Sequence, residues 1–195
     1  MNLRVAIQMD PLETVDINAD TTFALAEEAQ RRGAELWVYG PEHLACLDGR
    51  LTARARPVRV QRVEGEPGIF EPEIVLDLHD DVDVILMRQD PPFDMSYITA
   101  AHLLELLKVE TLVLNDPEWV RSSPEKLYPL LFPGLLPETL ISRDVEALKA
   151  FRRRHGDMIL KPLYGNGGAG VFKLSKDDPN FASLIEMFFE RNREP

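Results

Sequence analysis

Apolar runs of strand length at residues 3–9, 35–39, 82–87 and 111–114 restrict the first part of this chain to few folds. A strand without polar alternation is buried on both faces, which requires covering elements above and below. Two helical patterns supply them. From Asp20 onward, Thr22, Leu25, Ala26 and Ala29 share one helical face before Gly33 supplies a stop, and later Tyr97, Ala100, Ala101, Leu104 and Leu107 repeat the pattern. Strand and helix in alternation predict an α/β domain with a parallel sheet and helices on both faces. Between residues 44 and 61 an Asp48-Gly49 turn predicts a hairpin, and residues 65–72 read as a mobile loop.

At 195 residues and 45% apolar content, the chain can bury the core of one large domain or two small ones. Its 33 acidic residues against 22 basic ones leave a net charge of −11, which argues against general attraction to nucleic acid or to an anionic membrane. Any anionic ligand must be held by local design. One cysteine, no signal-peptide pattern and no apolar run near 18 residues lead to the expectation of a soluble cytoplasmic protein.

Three Asp-Pro pairs, Asp10-Pro11, Asp90-Pro91 and Asp116-Pro117, stand at the carboxyl ends of apolar strands. That is the edge at which open α/β sheets bind ligands. Aspartate before proline is equally a good turn or helix start. Arg88, beside the second pair, can clamp a carboxylate bidentately or pair with a neighbouring aspartate.

Beyond about residue 120 the organisation changes. Ser123-Pro124-Glu125-Lys126 reads as the cap and first turn of a helix through residues 127–131, stopped by Pro133-Gly134. Lys126 is then at the end where the helix dipole disfavours a cation, unless an anion binds nearby or the charge simply stands in water. A strand at 139–141, a helix from Asp144 to about His155 and a strand at 158–163 follow. They lead to ILKPLYGNGGAGVF at 159–172, with four glycines in six positions. Gly165, Gly167 and Gly170 satisfy G-x-G-x-x-G, but a strand pattern follows where the dinucleotide fingerprint needs a helix. A P-loop needs Lys-Ser or Lys-Thr where Val171-Phe172 stands. What remains is a strand, a glycine loop and a strand: a hairpin flap whose bare backbone can approach phosphate oxygens, or a flexible turn.

ILKPLYGNGGAGVF resembles the lysine-plus-glycine-loop segment of ATP-grasp ligases, and ILMRQDPPFD, SSPEKLYPLLFP and PETLISR resemble bacterial glutathione synthetases. The resemblance runs over nearly the whole chain, with the motifs in family order. It implies a pre-ATP-grasp domain over 1–120, for substrate and dimerisation, and the first half of an ATP-grasp domain over 121–195. It implies ATP-dependent joining of γ-glutamylcysteine and glycine through an acyl phosphate, in a cytoplasmic homo-oligomer (dimer or tetramer). By position, Lys126 and Lys161 match lysines that contact nucleotide phosphates, and Gly165, Asn166, Gly167 and Gly168 match the flap. Arg88, Asp90 and Asp10 fall in the dipeptide region, and Tyr164 stands where some members carry aspartate. Family members are longer, and their Mg2+ ligands lie in the second half. The expectation is therefore a truncated synthetase with no metal ligands and little turnover of its own. A noncatalytic binding module and an ATP-grasp ligase with a different acceptor are the alternatives.

Other features carry less chemistry. Arg50, Arg54, Arg56, Arg59 and Arg62 read as a solvated edge strand, and Arg152–Arg154 as the favourable cationic end of a helix. The histidines show no metal spacing with Cys46, which reads as a packed thiol.

Overall fold

In the computed structural model, residues 2–107 and 109–191 are described, and the chain divides into two units, Met1–Ser122 and Ser123–Pro195. Most of the closing RNREP segment, residues 192–195, lies outside the described residues.

The first unit contains, in chain order, β1 (Arg4–Gln8), α1 (Thr21–Arg31), β2 (Glu35–Tyr39), β3 (Leu44–Leu47), β4 (Arg50–Val60), β5 (Gly68–Phe70), β6 (Ile74–Asp77), β7 (Val84–Met87), α2 (Met95–Glu105), β8 (Leu112–Leu114) and α3 (Pro117–Ser122). The parallel set expected from the apolar runs is β2-β1-β7-β8. Its two faces are read from alternate residues of one strand. Val5 and Ile7 of β1 pack with Phe23 and Ala26 of α1, whereas Ala6 packs with Ala101 and Leu104 of α2. Helices thus cover both faces.

The sheet is larger than the apolar runs alone indicate. It has eight strands in the order β3-β4-β2-β1-β7-β8, with β5 and β6 also pairing on β4, and β4 is antiparallel to every neighbour. Expected at an edge, β4 is instead the hub of this antiparallel part. Leu51, Ala53, Ala55, Val58 and Val60 are buried along it. Arg50, Arg54 and Arg56 of β4 and the Arg62 beyond it reach carboxylates, with Arg56–Glu13 at 2.8 Å and Arg62–Glu27 at 2.6 Å. Within the expected mobile loop, residues 68–70 form β5. A Cβ on Gly68 would stand 2.8 Å from Val58 Cγ2, so glycine permits that close strand approach.

The inward face of α1 also differs from the expectation. Thr22, Phe23 and Ala26 are buried, while Leu25 is 47% exposed. Phe23 and Leu25 are two residues apart and cannot share a helical face. Cys46, expected to be packed, is exposed on β3.

The second unit contains α4 (Val145–His155), β9 (Met158–Leu160), β10 (Phe172–Leu174) and α5 (Phe181–Arg191). Asp144 caps α4 by accepting from the Glu146 N–H at 2.9 Å, and Gly156 ends the helix with φ +76°. Leu148 from α4, Leu174 from β10, and Phe181 and Ile185 from α5 form the core. The helix expected after Ser123 is absent: residues 124–127 form a turn, and Tyr128–Leu131 one 3-10 turn. Pro129 lacks an N–H and blocks an α-helical continuation through that stretch. Residues 139–141 form no strand.

Candidate functional site

The glycine loop joins two antiparallel strands. Phe172 pairs with Leu160 and Lys173 with Ile159, so Lys161 opens the loop directly after the last rung. Gly167, Gly168 and Gly170 have φ of +58°, +76° and +73°, a region that side-chain-bearing residues avoid. At Gly165 the reason is space, because a Cβ would stand 2.4 Å from Pro162 Cγ. The loop is tightened from within: the Asn166 carbonyl accepts from the Ala169 N–H at 3.1 Å, and the Gly168 carbonyl from the Val171 N–H at 3.3 Å.

Lys126 reaches this loop from the turn that replaces the expected helix. Its ammonium donates to the Gly165 carbonyl oxygen. The conflict with a helix dipole dissolves with the helix, and the lysine is held by a neutral acceptor rather than a carboxylate. Lys161 is exposed and forms no ion pair among the described residues. Both lysines line a cleft of about 890 Å³ with Lys173, Ile159, Leu140 and Phe188. Glu125, Glu138 and Asp157 line it as well, so the cleft is mixed in charge; its lysines suit an anionic group and its apolar residues a flat apolar part. Lys173 was not singled out by the sequence, since one lysine on a short strand carries no spacing signal.

In the first unit, the carboxyl ends of β1 and β7 bring the other candidates together. The Asp90 N–H donates to the Asp10 carboxylate at 2.7 Å, and the Arg88 N–H donates to the Gln8 carbonyl at 2.8 Å. The Arg88 guanidinium does not pair with a neighbouring aspartate. It donates to the hydroxyls of Thr21 at 2.8 Å and Thr22 at 3.1 Å, at the start of α1. Its charge is therefore uncompensated by any carboxylate ion pair among the described residues, as a carboxylate receptor requires. Asp94 caps α2 and sets Tyr97 in its first turn. Burial pushes the Tyr97 phenol up; Arg88 opposes this, while Asp90 and Asp10 add to it. These four groups share one electrostatic neighbourhood. Tyr97 reads in sequence as a core-facing residue, and its hydroxyl gives no pattern that marks it otherwise. The third pair, Asp116-Pro117, starts α3, with Asp116 accepting from the Glu118 N–H at 2.9 Å.

No group of three or more His, Cys, Asp or Glu side chains among the described residues can hold a metal ion. No helix among them is long and apolar enough to cross a membrane.

Two family descriptions match the chain: prokaryotic glutathione synthetase, N-terminal domain, over residues 3–121, and prokaryotic glutathione synthetase, ATP-grasp domain, over residues 125–195. Among curated relatives, a glutathione synthetase of Brucella melitensis is 54% identical over the whole chain and one of Mesorhizobium japonicum 50%. One of Agrobacterium fabrum is 52% identical over 98% of the chain. The chain spans 62% of the length of the first two and 60% of the third. With both parts matched in order and the glycine flap in place between β9 and β10, the chain belongs to the prokaryotic glutathione synthetase family.

Proposed function

We propose that the whole protein is an ATP-dependent ligase that joins γ-glutamylcysteine to glycine. The observation that carries this is the flap itself: a glycine loop between paired strands, opened by Lys161 and held at Gly165 by Lys126. In the proposed reaction the γ-phosphoryl group passes from ATP to the carboxylate of γ-glutamylcysteine, releasing ADP. The amine of glycine then attacks the acyl carbon, loses a proton and expels phosphate to leave the new amide.

Lys126 and Lys161 are assigned to the nucleotide phosphates, where two cations spread over the chain offset the charge that develops during transfer. The N–H groups of Gly165, Asn166, Gly167 and Gly168 are assigned to the same oxygens. Arg88 is assigned to a carboxylate of the dipeptide, with Asp10 and Asp90 shaping that edge. Residues 1–120 are read as the substrate and dimerisation domain and 121–195 as the first part of the nucleotide-binding domain.

Phosphoryl transfer by this family implies Mg2+, but the described acidic residues do not fit a metal centre. The acidic balance, with a net charge of −11, is in keeping with a cytoplasmic enzyme, and a homo-oligomer is part of the same proposal. The test is ADP release by the whole protein with Mg-ATP, γ-glutamylcysteine and glycine, omitting each in turn. Release that needs both acceptors is expected. Release with another amine in place of glycine would indicate a ligase of different acceptor specificity, and release independent of the dipeptide would contradict the proposal.

A further inference from the structure

Behind the Arg88–Asp90 edge lies a buried polar group that the proposed chemistry does not use. Gln8, fully buried at the end of β1, donates its amide to the Gln89 side-chain carbonyl, and Gln89 is itself only 8% exposed. On the neighbouring strands Gln8 is in register with Tyr39 and with Met87, and Tyr39 and Met87 belong to the core on the α2 side. The Gln8 Oε1 atom and the buried Tyr39 hydroxyl find no hydrogen-bond partner among the described residues. Burying an amide costs free energy unless its polar atoms are hydrogen-bonded, so a core amide with an orphaned oxygen calls for an explanation.

The position of Gln89 does matter, because it sits between two candidate ligand residues. Residues 88 and 89 leave β7 on opposite faces: Arg88 goes to the Thr21 and Thr22 hydroxyls of α1, and Gln89 to Gln8. A slip of one residue would exchange them. The Asp90 N–H is then delivered to Asp10.

We propose that the buried Gln8–Gln89 amide pair is a positioning device that fixes how Arg88 and Asp90 are presented at the dipeptide edge. This rests on the reading of that edge as the γ-glutamylcysteine site. The pair acts through Arg88 and Asp90 and does not touch substrate.

A double-substitution cycle separates positioning from stability. Gln89→Met alone strands a buried amide and lowers the melting temperature. Gln8→Met with Gln89→Met removes both partners with similar shapes and restores it, because a matched apolar pair is nearly neutral. Two measurements follow on the double variant. Hydrogen exchange at the Asp90 N–H in the ligand-free chain is expected to be roughly tenfold faster, and the dissociation constant for γ-glutamylcysteine roughly tenfold higher. An exchange rate equal to wild type in a stable double variant overturns the positioning role, whatever the ligand. Faster exchange with unchanged dipeptide affinity overturns the link to binding. If Arg88→Ala also leaves that affinity unchanged, the assignment of the edge as dipeptide site fails, and the proposal with it.

Discussion

The carboxylate of Asp10 accepts the backbone N–H of Asp90 at 2.7 Å, tying together two Asp-Pro turns 80 positions apart at one sheet edge. Asp10→Ala frees that N–H and loosens the segment carrying Arg88. Its dissociation constant for γ-glutamylcysteine is expected to rise roughly three- to tenfold, measured by calorimetry. Asp10→Asn keeps an acceptor oxygen and should lose less.

The burial of Phe23 in place of Leu25 sets a second expectation. Phe23→Ala empties the core between α1 and the sheet and should destabilise the first unit by about 3–5 kcal/mol. Leu25→Ala should cost under about 1 kcal/mol, since half of that side chain already meets water. Equal losses in denaturant titrations would place Leu25 back on the inner face.

Gly165 and Gly167 are glycine for different reasons, and a rescue experiment separates them. Gly165→Ala drives a Cβ into the Pro162 ring and should cost about 1–3 kcal/mol. Adding Pro162→Ala removes the obstructing Cγ and should recover much of the loss. Gly167→Ala meets open space but must hold a positive φ, at about 1–2 kcal/mol, and Pro162→Ala should not relieve it.

Acid sensitivity follows from surface carboxylates. Arg31 and Arg32 together hold the Glu28 carboxyl down to about 2, and Arg4 holds that of Asp83 below its usual value. A depressed carboxylate contributes stability that is present above its unfolded value, about 4.3 for Glu, and lost as pH falls toward the folded one. The melting temperature should therefore fall between about pH 4.3 and 2. Glu28→Gln should flatten part of that slope, and high salt should flatten it further because these pairs are exposed.

How much of this was legible in the sequence depends on whether the deciding force is local. The strands β1, β2, β7 and β8 follow from apolar runs, and the helices beginning near Asp20 and Asp144 from their patterns; the structure has them, with both aspartates as caps. The hairpin at Asp48-Gly49 is likewise present, both residues adopting positive φ. What escaped depends on distant partners. Three residues of β5 are a strand only because β4 lies alongside. The helix expected after Ser123 is the exception, because the signal against it is local: Pro129 would be its sixth residue. Arg88 was left between two roles because nothing local says that Thr21 and Thr22 will receive it. The Gln8–Gln89 pair, 81 positions apart, has no sequence signature at all.

The central claim is that Lys126 and Lys161 with the glycine flap form a nucleotide-phosphate site, and the most direct measurement is ATP affinity of the chain with each lysine replaced. Lys161→Met and Lys126→Met should each raise the ATP dissociation constant by roughly tenfold or more, with Arg88→Ala leaving it unchanged. Lys126→Met should in addition speed hydrogen exchange over residues 165–170, because it releases the Gly165 carbonyl. ATP affinity that ignores both lysines would contradict the claim.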